Sequence, residues 1–84
     1  MIYNAVWHED ALKALQKSDR LDAKNIVEKV KAHLLLDPIK LGVTLKGALK
    51  GFYRYRIVNY RVIYAVDFQE REILILSINH RKDF

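Results

Sequence analysis

Between Phe52 and Val66 the chain alternates with a period of two: Tyr53, Tyr55 and Ile57, then Tyr60, Val62, Tyr64 and Val66, are apolar or aromatic. Such a period belongs to strands that bury one face. If residues 52–57 and 60–65 pair across a two-residue turn at Val58-Asn59, Arg56 lies opposite Arg61 and Arg54 opposite Ile63. Arg54, Arg56 and Arg61 then share one face, and the tyrosines with Ile57, Val62 and Val66 form the other. The second is the core face, even though Val58-Asn59 is not an ideal turn pair.

The cover for that face is legible upstream. Ala23, Ile26, Val27, Val30 and Leu34 recur at i, i+3, i+4, i+7 and i+11, with Asp22, Lys24, Glu28, Lys29 and Lys31 turned away. This predicts an amphipathic helix that Asp37-Pro38 stops. A shorter helix is expected from about Glu9 to Lys17, with Ala11, Leu12 and Leu15 on one face, and Ser18 or Asp19 caps the next. Ile2 to Trp7 reads as a first strand and Glu72 to Ile78 as a last one, set off by the charged turn Phe68-Gln-Glu-Arg71. Residues 39–51 read as a connecting loop, broken by Gly42, Gly47 and Gly51. The expected fold class is α+β in the order β-α-α-β-β-β: a small, largely antiparallel sheet with two helices packed on one face. One domain, residues 1–84, accounts for the whole chain.

With half of its residues apolar, the chain can build a small core without disulfides. The lack of cysteine fits a reducing compartment. Met1 to Trp7 has no signal-peptide pattern, and the apolar run Ile73 to Ile78 is too short for a membrane helix. A soluble, cytoplasmic protein is the expectation.

Charge is uneven. Residues 1–44 hold seven Lys/Arg against six Asp/Glu, whereas residues 45–84 hold eight against four. From Pro38 through Val66, 29 residues carry no acid at all, yet include Lys40, Lys46, Lys50, Arg54, Arg56 and Arg61. Cations on regular structure, free of counter-charges, are the footprint of a polyanion partner. The Arg56–Arg61 pair strengthens this reading, since like charges across a strand pair destabilise it. Phosphates would supply the missing charge. The tyrosines could stack bases, but their parity with Ile57 and Val62 assigns them to the core. Lys46-Gly47-Ala-Leu-Lys50-Gly51 is glycine-rich and basic but lacks phosphate-loop spacing, and reads as a hinge or entry loop. Of three histidines, only His80 sits among other candidate site residues, in Asn79-His80-Arg81-Lys82-Asp83. Their scatter gives no metal-ligand spacing.

Leu45-Lys-Gly47, Tyr53-Arg-Tyr-Arg56, Asn59-Tyr-Arg-Val-Ile-Tyr64 and Ser77-Ile-Asn-His-Arg-Lys-Asp83 together resemble the successive signatures of the RelE/ParE superfamily of bacterial and archaeal toxins, in particular its RelE-like branch. The resemblance spans nearly the whole chain. It implies a microbial ribonuclease-like fold and the toxin of a type II toxin–antitoxin system: an mRNA interferase cleaving messenger RNA in the ribosomal A site, held in check by a cognate RelB-like antitoxin. It also implies that Arg54, Arg56, Arg61 and Arg81 surround the scissile phosphate, with Lys46, Lys50 and Lys82 adding RNA contacts. Attack by the RNA's own 2′-hydroxyl needs neither metal nor cofactor. Arginines suit charge stabilisation but not proton transfer, because they stay protonated. Family members commonly carry lysines where Arg54 and Arg56 stand and a tyrosine shortly after the position of Arg81. This sequence has none there, so the proton-transfer role falls to His80, and a reduced activity is allowed for. Two alternatives share the fold: a ParE-like toxin that poisons DNA gyrase without cutting RNA, and a nonenzymatic RNA- or ribosome-binding module. For the antitoxin, the cation density implies an acidic, amphipathic binding segment.

Overall fold

A computed structural model describes residues 2–80. A first strand, β1 (Asn4–Trp7), leads into α1 (Glu9–Lys17) and α2 (Arg20–Lys29), which continues as a π-helical turn over Val30–Leu34. A short helix α3 (Pro38–Leu41), a two-residue strand β2 (Val43–Thr44) and a 3₁₀ turn (Gly47–Leu49) follow. Then come β3 (Tyr53–Ile57), β4 (Tyr60–Asp67) and β5 (Glu72–His80). The sheet has five strands in the order β1-β5-β4-β3-β2, antiparallel except for the parallel β1–β5 pair. Both helices lie on one face, as expected, but three details differ from the sequence reading.

First, residues 39–51 are not a plain loop. Asp37 does end the preceding helix, but its carboxylate then accepts the Lys40 N–H at 3.2 Å and caps a new helix with Pro38 in its first turn. Proline lacks an N–H that this position would leave unpaired anyway, so it can start a helix as well as stop one. Second, α2 widens rather than simply ending: the Leu35 N–H donates to the Val30 carbonyl at 3.0 Å, an i→i+5 bond. The extra residue lets Val30, Leu34 and Leu35 all reach the core. Third, α1 buries Ala11 and packs Ala14 and Leu15 against the core, whereas Leu12 is exposed.

The hairpin register is the one the alternation demanded, with Arg56 opposite Arg61 and Arg54 opposite Ile63. Ile57, Val62, Tyr64, Ile73, Ile75 and Ile78 meet Ala11, Ile26, Val30 and Leu34 in a single core. Its centre is Tyr64, fully buried, stacked on Tyr53 at 5.4 Å, its hydroxyl donating to the Pro38 carbonyl at 2.6 Å. Gly42 makes room for that hydroxyl, because a Cβ there would collide with it. Burial, then the neighbouring Tyr53 and Tyr55, holds the Tyr64 phenol well above the usual tyrosine value. Among the described residues no helix is long and apolar enough to cross a membrane.

One irregularity in β5 decides what the site contains. Ile63 pairs with Ser77 but Tyr64 pairs with Ile75, so Leu76 is an extra residue on β5. Such a bulge inverts side-chain parity beyond it. Ile73 and Ile75 are buried on one side of it and Ile78 on the other. Ser77 and Asn79 therefore turn to the face opposite the helices.

Candidate nucleic-acid interface

The sheet face away from the helices begins, at the β3–β4 turn, with cations in rows. Arg56, Arg61 and Asn79 are neighbours across three strands, and Val43, Arg54, Ile63 and Ser77 form the next row. Arg56 is exposed and Arg54 and Arg61 are half-buried, as expected of long side chains whose stems lie along a strand while their guanidinium groups reach out. The ion pairs between described residues, His8–Asp10 and Glu9–Lys13, both sit at the start of α1, far from this face.

The turn itself is strained. Val58 has φ of 53°, a left-handed conformation that costs a β-branched residue about 1 to 3 kcal/mol. Arg56, Val58, Asn59, Tyr60 and Arg61 line a shallow cleft of about 160 Å³ there. Guanidinium forks over a cleft of this kind can grip phosphate oxygens in pairs and stabilise charge that develops on them.

The bulge separates His80 from the arginine rows. His80 pairs with Tyr60 across the strands and meets its ring edge-on at 4.8 Å, on the side of the sheet that carries the helices. There it lines a second cleft with Ala14, Lys17, Ser18, Asp19, Tyr60 and Ile78. The Tyr60 hydroxyl donates to Asp22 Oδ2 at 3.0 Å. Burial and that bond raise the Tyr60 pKa, so the phenol stays protonated and serves as a wall. Tyr60 lines both clefts, one ring thick between His80 and the arginine end.

Lys46 and Lys50 flank the 3₁₀ turn that precedes β3, at the opposite end of that strand from the arginine cleft. Five residues at about 3.3 Å each set them about 17 Å from the β3–β4 turn. They would meet a long polyanion rather than one phosphate. Arg81 and Lys82 lie outside the described residues. Ser77 and Asn79 were missed as site residues by the sequence reading: nothing in the alternation of β5 announces the bulge that turns them outward, where Asn79 Nδ2 donates to Ser77 Oγ at 3.4 Å.

Comparison with known proteins bears on the family and the fold. The family of the ParE toxin of type II toxin–antitoxin systems matches residues 5–83. Toxin RelE of Mycobacterium tuberculosis is 33% identical over 79 residues, covering 94% of this chain and 81% of that protein. Among solved structures, a chain of the toxin–antitoxin complex RelBE2 from Mycobacterium tuberculosis superposes with a TM-score of 0.92 at 26% identity, over 96% of this chain and 100% of that one. A chain of the archaeal RelE–RelB complex from Pyrococcus horikoshii does so with a TM-score of 0.68 at 27% identity, over 96% and 97%.

Proposed function

The chain belongs to the ParE toxin family, within the RelE/ParE superfamily of type II toxins, and from that premise we propose that it is a ribosome-dependent endoribonuclease restrained by a RelB-like antitoxin. The observation that carries the reading is the convergence of Arg54, Arg56 and Arg61 on one open face, with Arg56 directly across from Arg61. An RNA strand has one negative phosphate per nucleotide to set between them.

In this mechanism the 2′-oxygen of the RNA attacks the adjacent phosphorus, and the bond to the leaving 5′-oxygen breaks. The products are a 2′,3′-cyclic phosphate and a free 5′-hydroxyl. Arg61 and Arg56, with Arg54 beside them and Arg81 after β5, neutralise charge growing on the phosphoryl oxygens. Asn79, across from Arg61, is placed to orient that guanidinium or the ribose. A proton must leave the 2′-hydroxyl and another must reach the 5′-oxygen. His80, next to Asn79 in the chain, is assigned one of these transfers. To make it, the ring has to swing from its seat against Tyr60 around the end of β5. Lys46, Lys50 and Lys82 add contacts to the flanking RNA.

The test is to map RNA ends in translating extracts. Wild-type protein should produce cuts in register with codons, and Arg61→Ala should lower the cleavage rate by roughly 10² to 10³, the scale for loss of a preorganised electrostatic donor. His80→Gln should slow cleavage while leaving ribosome binding in place. Intact RNA together with trapped gyrase–DNA complexes would overturn the nuclease reading in favour of the gyrase-directed alternative.

A further inference from the structure

The bulge at Leu76 decides which side chain of β5 completes the arginine row. With it, Asn79 stands directly across from Arg61, which in turn stands across from Arg56, so a neutral amide ends a row of two guanidinium groups. The two arginines can only donate hydrogen bonds, whereas an amide carries an acceptor as well. Asn79 Nδ2 donates to Ser77 Oγ at 3.4 Å, which turns the amide so that its donor side faces back along β5. Among the described residues nothing donates to Asn79 Oδ1, and no buried side-chain oxygen lacks a partner. The half-buried Asn79 therefore keeps its carbonyl oxygen open to solvent at the edge of the site. Donors for a phosphate lie on one side of it. Beside each RNA phosphate lies one group that can donate to such an oxygen, the 2′-hydroxyl, about 3 to 3.5 Å from the phosphorus when placed for attack. Neighbouring side chains across a strand pair start about 5 Å apart, a span that one nucleotide bridges.

We propose that Asn79 is the ribose-reading residue of this site: its Oδ1 accepts a hydrogen bond from the 2′-hydroxyl beside the phosphate held by Arg56 and Arg61, and Ser77 keeps the amide turned that way. Contacts to phosphate are the same for RNA and DNA, so the arginines and lysines of this face cannot tell one from the other. The 2′-hydroxyl can. Asn79 takes no proton, because a neutral amide is not a base at ordinary pH; it aligns the 2′-oxygen and leaves proton transfer to another group. The inference rests on the RNA-cleaving reading proposed above and adds to it the choice of ribose over deoxyribose. It also gives the bulge a purpose, since unbroken alternation along β5 would turn Asn79 toward the helices.

The experiment measures binding of the full chain, without ribosomes, to three fluorescent single strands of one sequence and about six nucleotides. One is RNA, one is its 2′-fluoro analogue and one is DNA, and a gel verifies that each stays intact. The 2′-fluoro sugar keeps the pucker of ribose but has no hydrogen to donate, so the difference between the first two probes reports the hydrogen bond alone. At low salt the wild type should bind RNA about fivefold more tightly than the 2′-fluoro strand, the scale of one neutral hydrogen bond. Asn79→Ala should bring RNA down to the 2′-fluoro level while leaving the affinities for 2′-fluoro RNA and DNA unchanged. Ser77→Ala, which frees the amide to rotate, should retain a smaller preference than the wild type. A thermal melt verifies that both variants are folded. Equal wild-type binding of RNA and 2′-fluoro RNA, no binding of any probe, or an undiminished preference in Ser77→Ala would each overturn the proposal. So would an equal loss for all three probes in Asn79→Ala, the result expected if the amide serves only to hold the Arg61 guanidinium. RNA cleavage in translating extracts is read separately. A wild type that leaves RNA intact would sink the nuclease reading, whereas codon-registered cuts by a wild type that binds RNA and 2′-fluoro RNA alike would sink the ribose assignment alone.

Discussion

On the helix side of β4, Tyr60, Val62 and Tyr64 face a core in which polar atoms have partners: the Tyr64 hydroxyl meets the Pro38 carbonyl and the Tyr60 hydroxyl meets Asp22. Among the described residues no buried side-chain nitrogen or oxygen lacks one. On the other side of the same strand, Arg61 faces Arg56 and Asp67 faces Glu72, like charges set across the strands on the face that the helices leave open. The difference assigns stability to one set of alternating residues and recognition to the other. Substitutions on the two sides should therefore fail in different assays.

The largest expected effect lies on the core side. Tyr64→Ala removes a fully buried ring and leaves a cavity, which should cost about 3 to 5 kcal/mol in urea unfolding. Gly42→Ala tests the same packing from the other direction, because its methyl must displace the Tyr64 hydroxyl; overpacking of this kind costs typically 1 to 3 kcal/mol. Unfolding midpoints like the wild type in both variants would break the assignment of stability to this face.

How far this division was legible depends on where periodicity persists. The β3–β4 register followed from alternation on both sides of Val58-Asn59, because a slip of one residue would have exposed Tyr64 and buried Arg61. The stripe Ile26, Val30, Leu34 likewise announced the covering helix. Periodicity says nothing about an inserted residue, so the bulge at Leu76 was invisible. With unbroken alternation from Ile73 and Ile75, His80 would join the arginines and Asn79 would point to the helices. The structure does the reverse. Closeness of His80 to Arg81 in sequence is therefore no measure of its closeness to Arg61 in space. The short helix Pro38–Leu41 was hidden for another reason: Asp-Pro both ends and begins helices, and the sequence does not say which.

A smaller and pH-dependent effect sharpens the core side. Tyr64→Phe keeps the ring but deletes the bond to the Pro38 carbonyl, at about 1 kcal/mol near neutral pH. Because burial raises the Tyr64 pKa, the folded state holds its phenol proton more tightly than the unfolded chain does. This contribution is complete below the ordinary tyrosine value of about 10 and is lost as pH rises above it. Wild-type stability should fall in that alkaline range more steeply than that of Tyr64→Phe. Tyr60, raised in the same sense, leaves a residual slope in both. Parallel stability curves above pH 10 would remove Tyr64 from the linkage.

The smallest effect has the opposite sign and belongs to the open face. Arg56→Gln keeps most of the side-chain stem but removes one of two cations facing each other across β3 and β4. Since Arg56 is exposed, little packing is lost, and relief of the repulsion should raise stability by up to about 1 kcal/mol at low salt. Screening over a Debye length of about 10 Å at 0.1 M salt should then shrink the gain as salt is added, in unfolding curves measured with and without it. The same variant should cut RNA more slowly. A stabilised protein with impaired cleavage is the pattern expected if the arginine pair is kept for its ligand at the expense of the fold. Loss of stability in Arg56→Gln, unchanged by salt, would mean instead that the guanidinium is held by the protein itself, and that the cationic face is part of the structure rather than a surface awaiting phosphate.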